Sequence, residues 1–419
     1  MMHGEVQKRL HNCLGLEGTR AAANSVSYTM SHFDNLALEL VEAILDHLGA
    51  SSLASALRTA KILQYPSERR LYYRVDLSTP RKPSARLKDC EAIFFDTISK
   101  NDRLANHVVK LSFGGLHSAE GDPRVNAVIA DSMKKMVNLK RLSISGYPYI
   151  MHANIDLVPF SLTHLVIAGD RDFKELDDFE AEPEVPLLPI LRAHPELVHL
   201  ELDYRSLPPS LTEALKVEQK APSNESGIIC PHIKRFGGYD ESLRLFLPTR
   251  TIESGLTMGT PDEFIEEDQL SDVWLTPALV QSYQHLRFLE VWNTSLLFPI
   301  APYLTSLTHL RARANYYTIR GTDSESDCLL SSLIRMPALE SVTFKESVCT
   351  FGMPALEHAR KMVQLVCSVL PDIAEIFVEG GMNPRSVLFY RYTNGEGLED
   401  DLCGEGVPFD TNITWWLEP

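Results

Sequence analysis

A three-anchor apolar pattern recurs along most of this chain and restricts what the chain can fold into. The pattern places apolar residues at the first, fourth and sixth positions of a short segment, and the last two are spaced as on one face of a strand. The eight clear copies are Val108, Leu111 and Phe113; Leu139, Leu142 and Ile144; Leu162, Leu165 and Ile167; Leu197, Leu200 and Leu202; Leu286, Leu289 and Val291; Leu307, Leu310 and Ala312; Leu339, Val342 and Phe344; and Ile373, Ile376 and Val378. Weaker copies occur at 233–236 and 252–256. Each copy predicts a short strand.

The N-terminal part predicts three short helices. At 100° per residue, one arc of about 160° in the first helix holds Leu38, Leu40, Val41, Ile44, Leu45 and Leu48. Gly49 predicts the end of this helix, and Ser51 or Ser52 the start of a second one with Leu53, Ala56, Leu57, Ala60 and Leu63 on one side. Pro66 predicts a break before the third helix. Three helices of this size cannot bury all their apolar faces on each other, so some of this surface needs a partner or the downstream domain.

Residues 34–78 resemble an F-box, the trihelical module by which substrate receptors dock on the Skp adaptor of cullin-RING ubiquitin ligases. The order of Leu36, Leu38, Glu39 and Leu40 and the later exit through Leu71 carry the resemblance. It implies that the module is held together and presented to the adaptor by Leu36, Leu38, Glu39, Leu40, Ile44, Leu45, Leu48, Leu53 and Leu57. Ala37 departs from the family, which usually has a proline there, and this puts the adaptor affinity in doubt more than the fold. The alternative is an ordinary amphipathic bundle packed on its own chain.

Residues 108–392 resemble the irregular leucine-rich-repeat domains that often follow fungal F-boxes. Outside the gap that holds the two weaker copies, neighbouring first anchors are 21 to 35 residues apart, whereas leucine-rich repeats have periods of about 20–29 residues. The resemblance implies an α/β fold, a solenoid with one parallel strand per repeat and helices on the convex side. Helices are predicted at 124–136, 186–193, 276–283, 328–336 and 354–370. The alternative is another α/β domain with leucine-rich parallel strands.

The remaining segments complete the predicted domain order. Residues 1–33 are expected to be a mobile N-terminal segment, residues 79–107 a connecting helical segment, and residues 393–419 a tail whose Trp415 and Trp416 cover the last repeat. Two acidic segments, 174–184 and 262–268, are expected to be solvated loops, or else a rim that selects a basic partner.

Composition indicates the environment and excludes some partners. The chain of 419 residues is 44% apolar and 23% charged, with a net charge of −16, which argues against general binding to nucleic acid or to an anionic membrane. The seven cysteines are odd in number and scattered, which favours a reducing compartment, so we expect the protein in the cytoplasm, the nucleus or both.

Functional motifs favour interaction over catalysis. The sequence lacks the nucleophile elbow, the Walker loop, the dinucleotide fingerprint and the zincin motif, so no catalytic, cofactor or metal site is predicted. The resemblances imply a non-catalytic substrate-recognition subunit of a Skp/cullin/F-box ubiquitin ligase, which binds the adaptor, through it a cullin, and an unknown protein substrate. Two alternatives remain, a repeat scaffold outside any ligase and an intracellular α/β enzyme.

Overall fold

The computed structural model of this protein describes residues 38–59, 61–77, 87–114, 123–145, 159–168, 187–203, 207–220, 227–257, 273–292, 294–313, 324–345, 355–383, 386–394 and 397–401. The chain forms two compact units, Met1–Leu197 (unit 1) and Val198–Pro419 (unit 2). Within the described residues both units are α/β, as predicted, and their strands are mostly parallel. None of the described helices is long and apolar enough to cross a membrane.

Unit 1 begins with three helices, α1 (Leu38–Asp46), α2 (Ala50–Thr59) and α3 (Lys61–Tyr73). They share a small core, made of buried Val41, Leu45 and Leu53 and of Leu48, Ala56, Leu63 and Leu71 packed against these three. Arg70 of α3 fixes the end of α1, because its Nε donates to Asp46 Oδ1 at 2.7 Å and its Nη2 donates to the Glu42 carbonyl at 2.5 Å.

The predicted boundaries of the first two helices are partly wrong. The first helix ends at Asp46, two residues before Leu48, although the chain does leave the helix before Gly49. The second helix begins at Ala50, so Ser51 and Ser52 lie inside its first turn and do not precede it.

The break predicted at Pro66 is also wrong. Pro66 is buried within α3, which is described as one helix from Lys61 to Tyr73. The proline removes one backbone hydrogen bond from α3. The same turn is held from outside, since Glu68 accepts a hydrogen bond at 3.1 Å from Arg103 of a later helix.

The rest of unit 1 alternates strands and helices. Its elements are β1 (Arg74–Asp76), α4 (Leu87–Ser99), α5 (Asp102–Ala105), β2 (Lys110–Phe113), α6 (Pro123–Lys135), β3 (Arg141–Ser145), β4 (His164–Ala168) and α7 (Leu187–Ala193). Strands β1 to β4 are parallel and pair in chain order. Strand β1 lies inside the range 34–78 and pairs with β2, so the three helices lead directly into the sheet.

Unit 2 continues the alternation. Its elements are β5 (His199–Leu202), α8 (Pro209–Lys220), β6 (Arg235–Gly238), α9 (Asp240–Phe246), β7 (Ser254–Thr257), α10 (Pro277–Tyr283), β8 (Phe288–Val291), α11 (Leu297–Ile300), β9 (His309–Arg313), α12 (Ser324–Ile334), β10 (Ser341–Lys345), α13 (Ala355–Val369), β11 (Glu375–Asn383), β12 (Ser386–Thr393) and β13 (Gly397–Asp401). Short 3₁₀ helices occupy Leu247–Thr249, Thr294–Leu296 and Ala301–Tyr303. Strands β5 to β11 are parallel, and β12 and β13 follow as antiparallel strands.

All eight clear strand predictions and both weaker ones are confirmed. Their anchors are buried, except that Leu256 and Leu339 are half-buried. A turn precedes most strands, as where the N–H of Leu286 donates to the Tyr283 carbonyl at 3.2 Å. At the start of neighbouring strands, one carbonyl accepts two hydrogen bonds from the next strand. The Arg287 carbonyl, for example, accepts hydrogen bonds from the N–H groups of Thr308 and His309. Each fully buried leucine stabilises the fold by about 1.5–3 kcal/mol.

Several other predictions differ from the structure. Helices α8 and α9 were not predicted, and α12 begins at Ser324, four residues before the predicted start. Strand β12 lies within the range 108–392 but runs antiparallel, and with β13 it pairs along the edge of β11. Other predictions lie outside the described residues: those for Leu36 and Ala37, the two acidic segments and Trp415 and Trp416.

Candidate protein-interaction surfaces

The apolar side of α1 is divided between the core and the solvent. Val41 and Leu45 are 1% and 2% exposed and form the three-helix core, whereas Leu40 and Ile44 are 55% and 52% exposed. Residues four apart lie on the same side of a helix. Leu40 and Ile44 therefore form an adjacent apolar pair on the surface, which we name the Leu40/Ile44 face.

The structure separates the residues that the sequence assigned to adaptor binding. Leu45 and Leu53 are buried, Leu48 and Leu57 are half-buried, and Glu39 is exposed. Leu36 and the side chain of Leu38 lie outside the described residues. Among the predicted residues, Leu40 and Ile44 are thus the two large apolar side chains that the described part of the module presents to solvent.

A buried carboxylate joins the three-helix module to the rest of unit 1. Glu68 of α3 is 2% exposed and pairs with Arg103 of α5, and it also accepts a hydrogen bond from Gln64 at 3.2 Å. Burial, with the added charge of Glu68, raises the pKa of Tyr72 to about 12, so the phenol stays neutral. Exposed Tyr65 contacts the His107 ring edge to face, with 5.3 Å between ring centroids. The module is therefore fixed to the following part of unit 1 by polar and aromatic contacts.

A second surface lies on the sheet of unit 2. Along β8 and β9 the buried anchors alternate with half-buried residues, so Phe288 and Glu290 share one face with His309 and Arg311. The rings of Phe288 and His309 stack with centroids 4.7 Å apart. Burial lowers the pKa of His309, which keeps its imidazole neutral at pH 7.

Trp292, the residue after β8, lies on this face, and two cationic side chains contact its ring. The Arg313 guanidinium lies 5.2 Å from the centroid of the Trp292 ring, and Lys345 Nζ lies 5.7 Å from it. Glu290 pairs with Arg311 at 3.2 Å and approaches Lys345 at 4.0 Å. We name these five residues the Trp292 cluster. Sequence analysis missed it, although each member occupies a position between or just after the apolar anchors of its strand.

A shallow depression adjoins the Trp292 cluster. It is open to solvent and is lined by Ser254, Gly255, Phe288, Leu289, Glu290, His309 and Arg311. These residues come from the adjacent strands β7, β8 and β9. The depression offers a mostly apolar surface next to the charged residues.

Comparison with known proteins adds no identification. No protein-family model matches this chain, and no curated protein is significantly similar to it.

Proposed function

We propose that this protein is a non-catalytic substrate-recognition subunit of a Skp/cullin/F-box ubiquitin ligase. Residues 34–78 act as the F-box and bind a Skp-type adaptor, which in turn joins a cullin. The downstream strands and helices form an irregular leucine-rich-repeat solenoid that binds a protein substrate. The chain contributes proximity and orientation, while ubiquitin transfer takes place on other subunits.

The Leu40/Ile44 face is the observation that carries this proposal. A short helix that has already buried Val41 and Leu45 still exposes two large apolar side chains one turn apart. Contiguous apolar surface of this kind is typical of a protein-binding site. The Glu68–Arg103 pair supports the same function, because it fixes the adaptor-binding helices to the following part of unit 1.

The proposal is tested by a pull-down of the purified chain with the Skp adaptor of its host. Wild-type protein should retain the adaptor, and the double variant Leu40→Asp, Ile44→Asp should lose it. Both side chains are exposed, so the two carboxylates should leave the folded helix largely intact, which circular dichroism checks.

The matched control is Val217→Asp, Ile334→Asp. These two residues are 63% and 58% exposed on α8 and α12 of unit 2, so the control makes the same chemical change on helices outside the module. The control should bind the adaptor as wild type does. Equal retention by all three proteins would contradict the proposed docking surface.

A repeat scaffold outside any ligase is the second candidate. The observation that favours it is Ala37, at the position where the F-box family usually has proline. If wild type fails to bind the adaptor, the Ala37→Pro variant tests the reason, since proline presets the first helical turn. Binding restored by this change would identify the alanine as the cause, and continued failure would favour the scaffold.

A further inference from the structure

We propose that the Trp292 cluster and the adjoining depression bind an extended, unmodified acidic peptide segment that also carries an apolar side chain. This proposal names the chemistry of the substrate and so rests on the proposed function, although peptide binding can be measured without any adaptor. It follows from the charge balance, the available hydrogen-bond donors and the shape of this face.

The charge balance of the cluster is positive. Arg311, Arg313 and Lys345 are three cations and Glu290 is one carboxylate, which leaves an excess of two positive charges on a chain whose net charge is −16. The patch has a boundary, because β11 places Glu375 opposite Ser341 in register. An anionic partner is therefore favoured over β8 to β10.

Two members of the cluster have donors that no acceptor among the described residues satisfies. Within the described part of the chain no carboxylate pairs with exposed Arg313, whose guanidinium contacts the Trp292 ring instead. The Trp292 indole N–H is buried and has no acceptor there either. A buried donor without a partner destabilises the protein. Carboxylate and backbone carbonyl oxygens of a peptide are acceptors that match such a set of donors.

The geometry favours an extended backbone. Arg313 and Lys345 are opposite each other on neighbouring strands, and both cationic groups approach the same indole ring. In an extended peptide, side chains two residues apart share one face and are separated by about 6.6–6.8 Å. Two carboxylates at that spacing can reach the two cations while a third side chain on the same face lies against the depression.

The depression provides the apolar part of the site. Its wall is formed by the stacked rings of Phe288 and His309, with buried Leu289 among its lining residues. Nucleic acid also carries negative charge, but on a phosphate backbone, whereas an apolar wall beside the cations suits a segment that carries carboxylates and an aliphatic side chain on one face. Charge and shape together therefore favour a peptide over an oligonucleotide.

Fluorescence anisotropy on the full chain tests the proposal. The probe is a fluorescein-labelled peptide, Ser-Leu-Ser-Glu-Ser-Glu-Ser-Leu-Ser, which presents Glu and Leu on one face when extended and reads alike in both directions. Two further peptides replace both Glu by Lys or both Leu by Ser. A single-stranded oligonucleotide of equal charge is the fourth probe.

We expect wild type to bind the Glu/Leu peptide most tightly and the Lys peptide not at all. The double variant Arg313→Glu, Lys345→Glu should weaken binding of the Glu/Leu peptide by about tenfold or more, since rejection of like charge adds to the lost attraction. The matched control Lys216→Glu, Arg360→Glu reverses two charges on α8 and α13 and should bind as wild type does.

A single, smaller substitution tests the site in case the variant Arg313→Glu, Lys345→Glu does not fold. Trp292→Phe keeps a ring but removes the indole N–H, and it should weaken the Glu/Leu peptide measurably while the circular dichroism spectrum stays unchanged. Equal loss of binding in both double reversals would overturn the proposal, because the attraction would then come from overall charge. Tighter binding of the oligonucleotide, or no binding of any probe, would also overturn it.

Failure of this inference can be distinguished from failure of the proposed function. The variant Leu40→Asp, Ile44→Asp should bind the Glu/Leu peptide as wild type does, because the changes lie on α1. Adaptor binding without peptide binding would reject only the site on the sheet. Peptide binding without adaptor binding would reject the ligase and retain the site.

Discussion

Asp240 should make unit 2 less stable at neutral pH than in weak acid. This residue begins α9, is 2% exposed, and has no hydrogen bond of good geometry to either carboxyl oxygen among the described residues. Burial raises the pKa of Asp240 from 3.8 to about 6, and the nearby Thr257 hydroxyl offsets this only in part. The folded protein therefore binds a proton more tightly at this position than the unfolded chain does.

The sign and the size of the effect follow by linkage. Between pH 3.8 and pH 6 the folded state holds more protons than the unfolded state, so the free energy of unfolding decreases as the pH rises. A shift of about two units corresponds to about 3 kcal/mol when complete above pH 6. The positive end of the α9 dipole favours the charged form by only about 0.3–1 kcal/mol, which is smaller. Burial therefore dominates.

The variant Asp240→Asn isolates this effect, because asparagine has nearly the same shape and stays neutral. Urea unfolding at a series of pH values should give matching midpoints for the two proteins near pH 4. The variant should become the more stable protein as the pH rises, by an amount on the order of 3 kcal/mol at pH 7.5. A difference that does not change with pH, or a variant that is less stable at pH 7.5, would refute the reasoning.

Three further substitutions test the internal packing by the same assay. Glu218→Gln should destabilise unit 2 by about 3–5 kcal/mol, because it leaves Arg250 buried without the carboxylate that now lies 2.9 Å from its Nη2; a loss below 1 kcal/mol would contradict a buried pair. Leu45→Ala should cost about 2–5 kcal/mol of unit 1 stability, whereas Leu40→Ala should stay within about 0.5 kcal/mol, because Leu45 is in the three-helix core and Leu40 is exposed. Similar losses for both leucines would mean that the Leu40/Ile44 face is packed in solution.

The strands were predictable because each carries its own signal. Burial of alternate residues leaves a local pattern, and the copies with a full set of anchors are all strands. The weaker copies also fold as strands, although Gly237 and Gly238 of β6 and Gly255 of β7 interrupt the apolar sequence. Pairing with regular neighbours on both sides imposes the strand there.

The missed helices depend on distant partners. Glu218 occupies a buried position of α8 beside Leu211 and Leu215, where a leucine would have completed the pattern. The carboxylate is tolerated because Arg250, which lies 32 positions later in the chain, donates a hydrogen bond to it. No local window contains both partners, so the helix lacks the periodicity that reveals the others.

The Leu40/Ile44 face and the Trp292 cluster also depend on contacts between residues that are distant in sequence. The apolar arc of α1 is continuous in sequence, and only the packing of α2 and α3 determines that Val41 faces inward while Leu40 faces outward. The Trp292 cluster is assembled from three strands, so its members come together only after the strands are in register. Aligning the repeats and comparing the positions between their anchors would have placed Trp292, Arg313 and Lys345 side by side.

The affinity of the purified chain for its host's Skp adaptor tests the central claim most directly. Isothermal titration should give saturable binding at one site for wild type and for the Val217→Asp, Ile334→Asp control. No heat should be detected for Leu40→Asp, Ile44→Asp at the same concentrations. Wild-type affinity in that variant, in a protein shown to be folded, would contradict the claim that α1 presents the docking surface of an F-box.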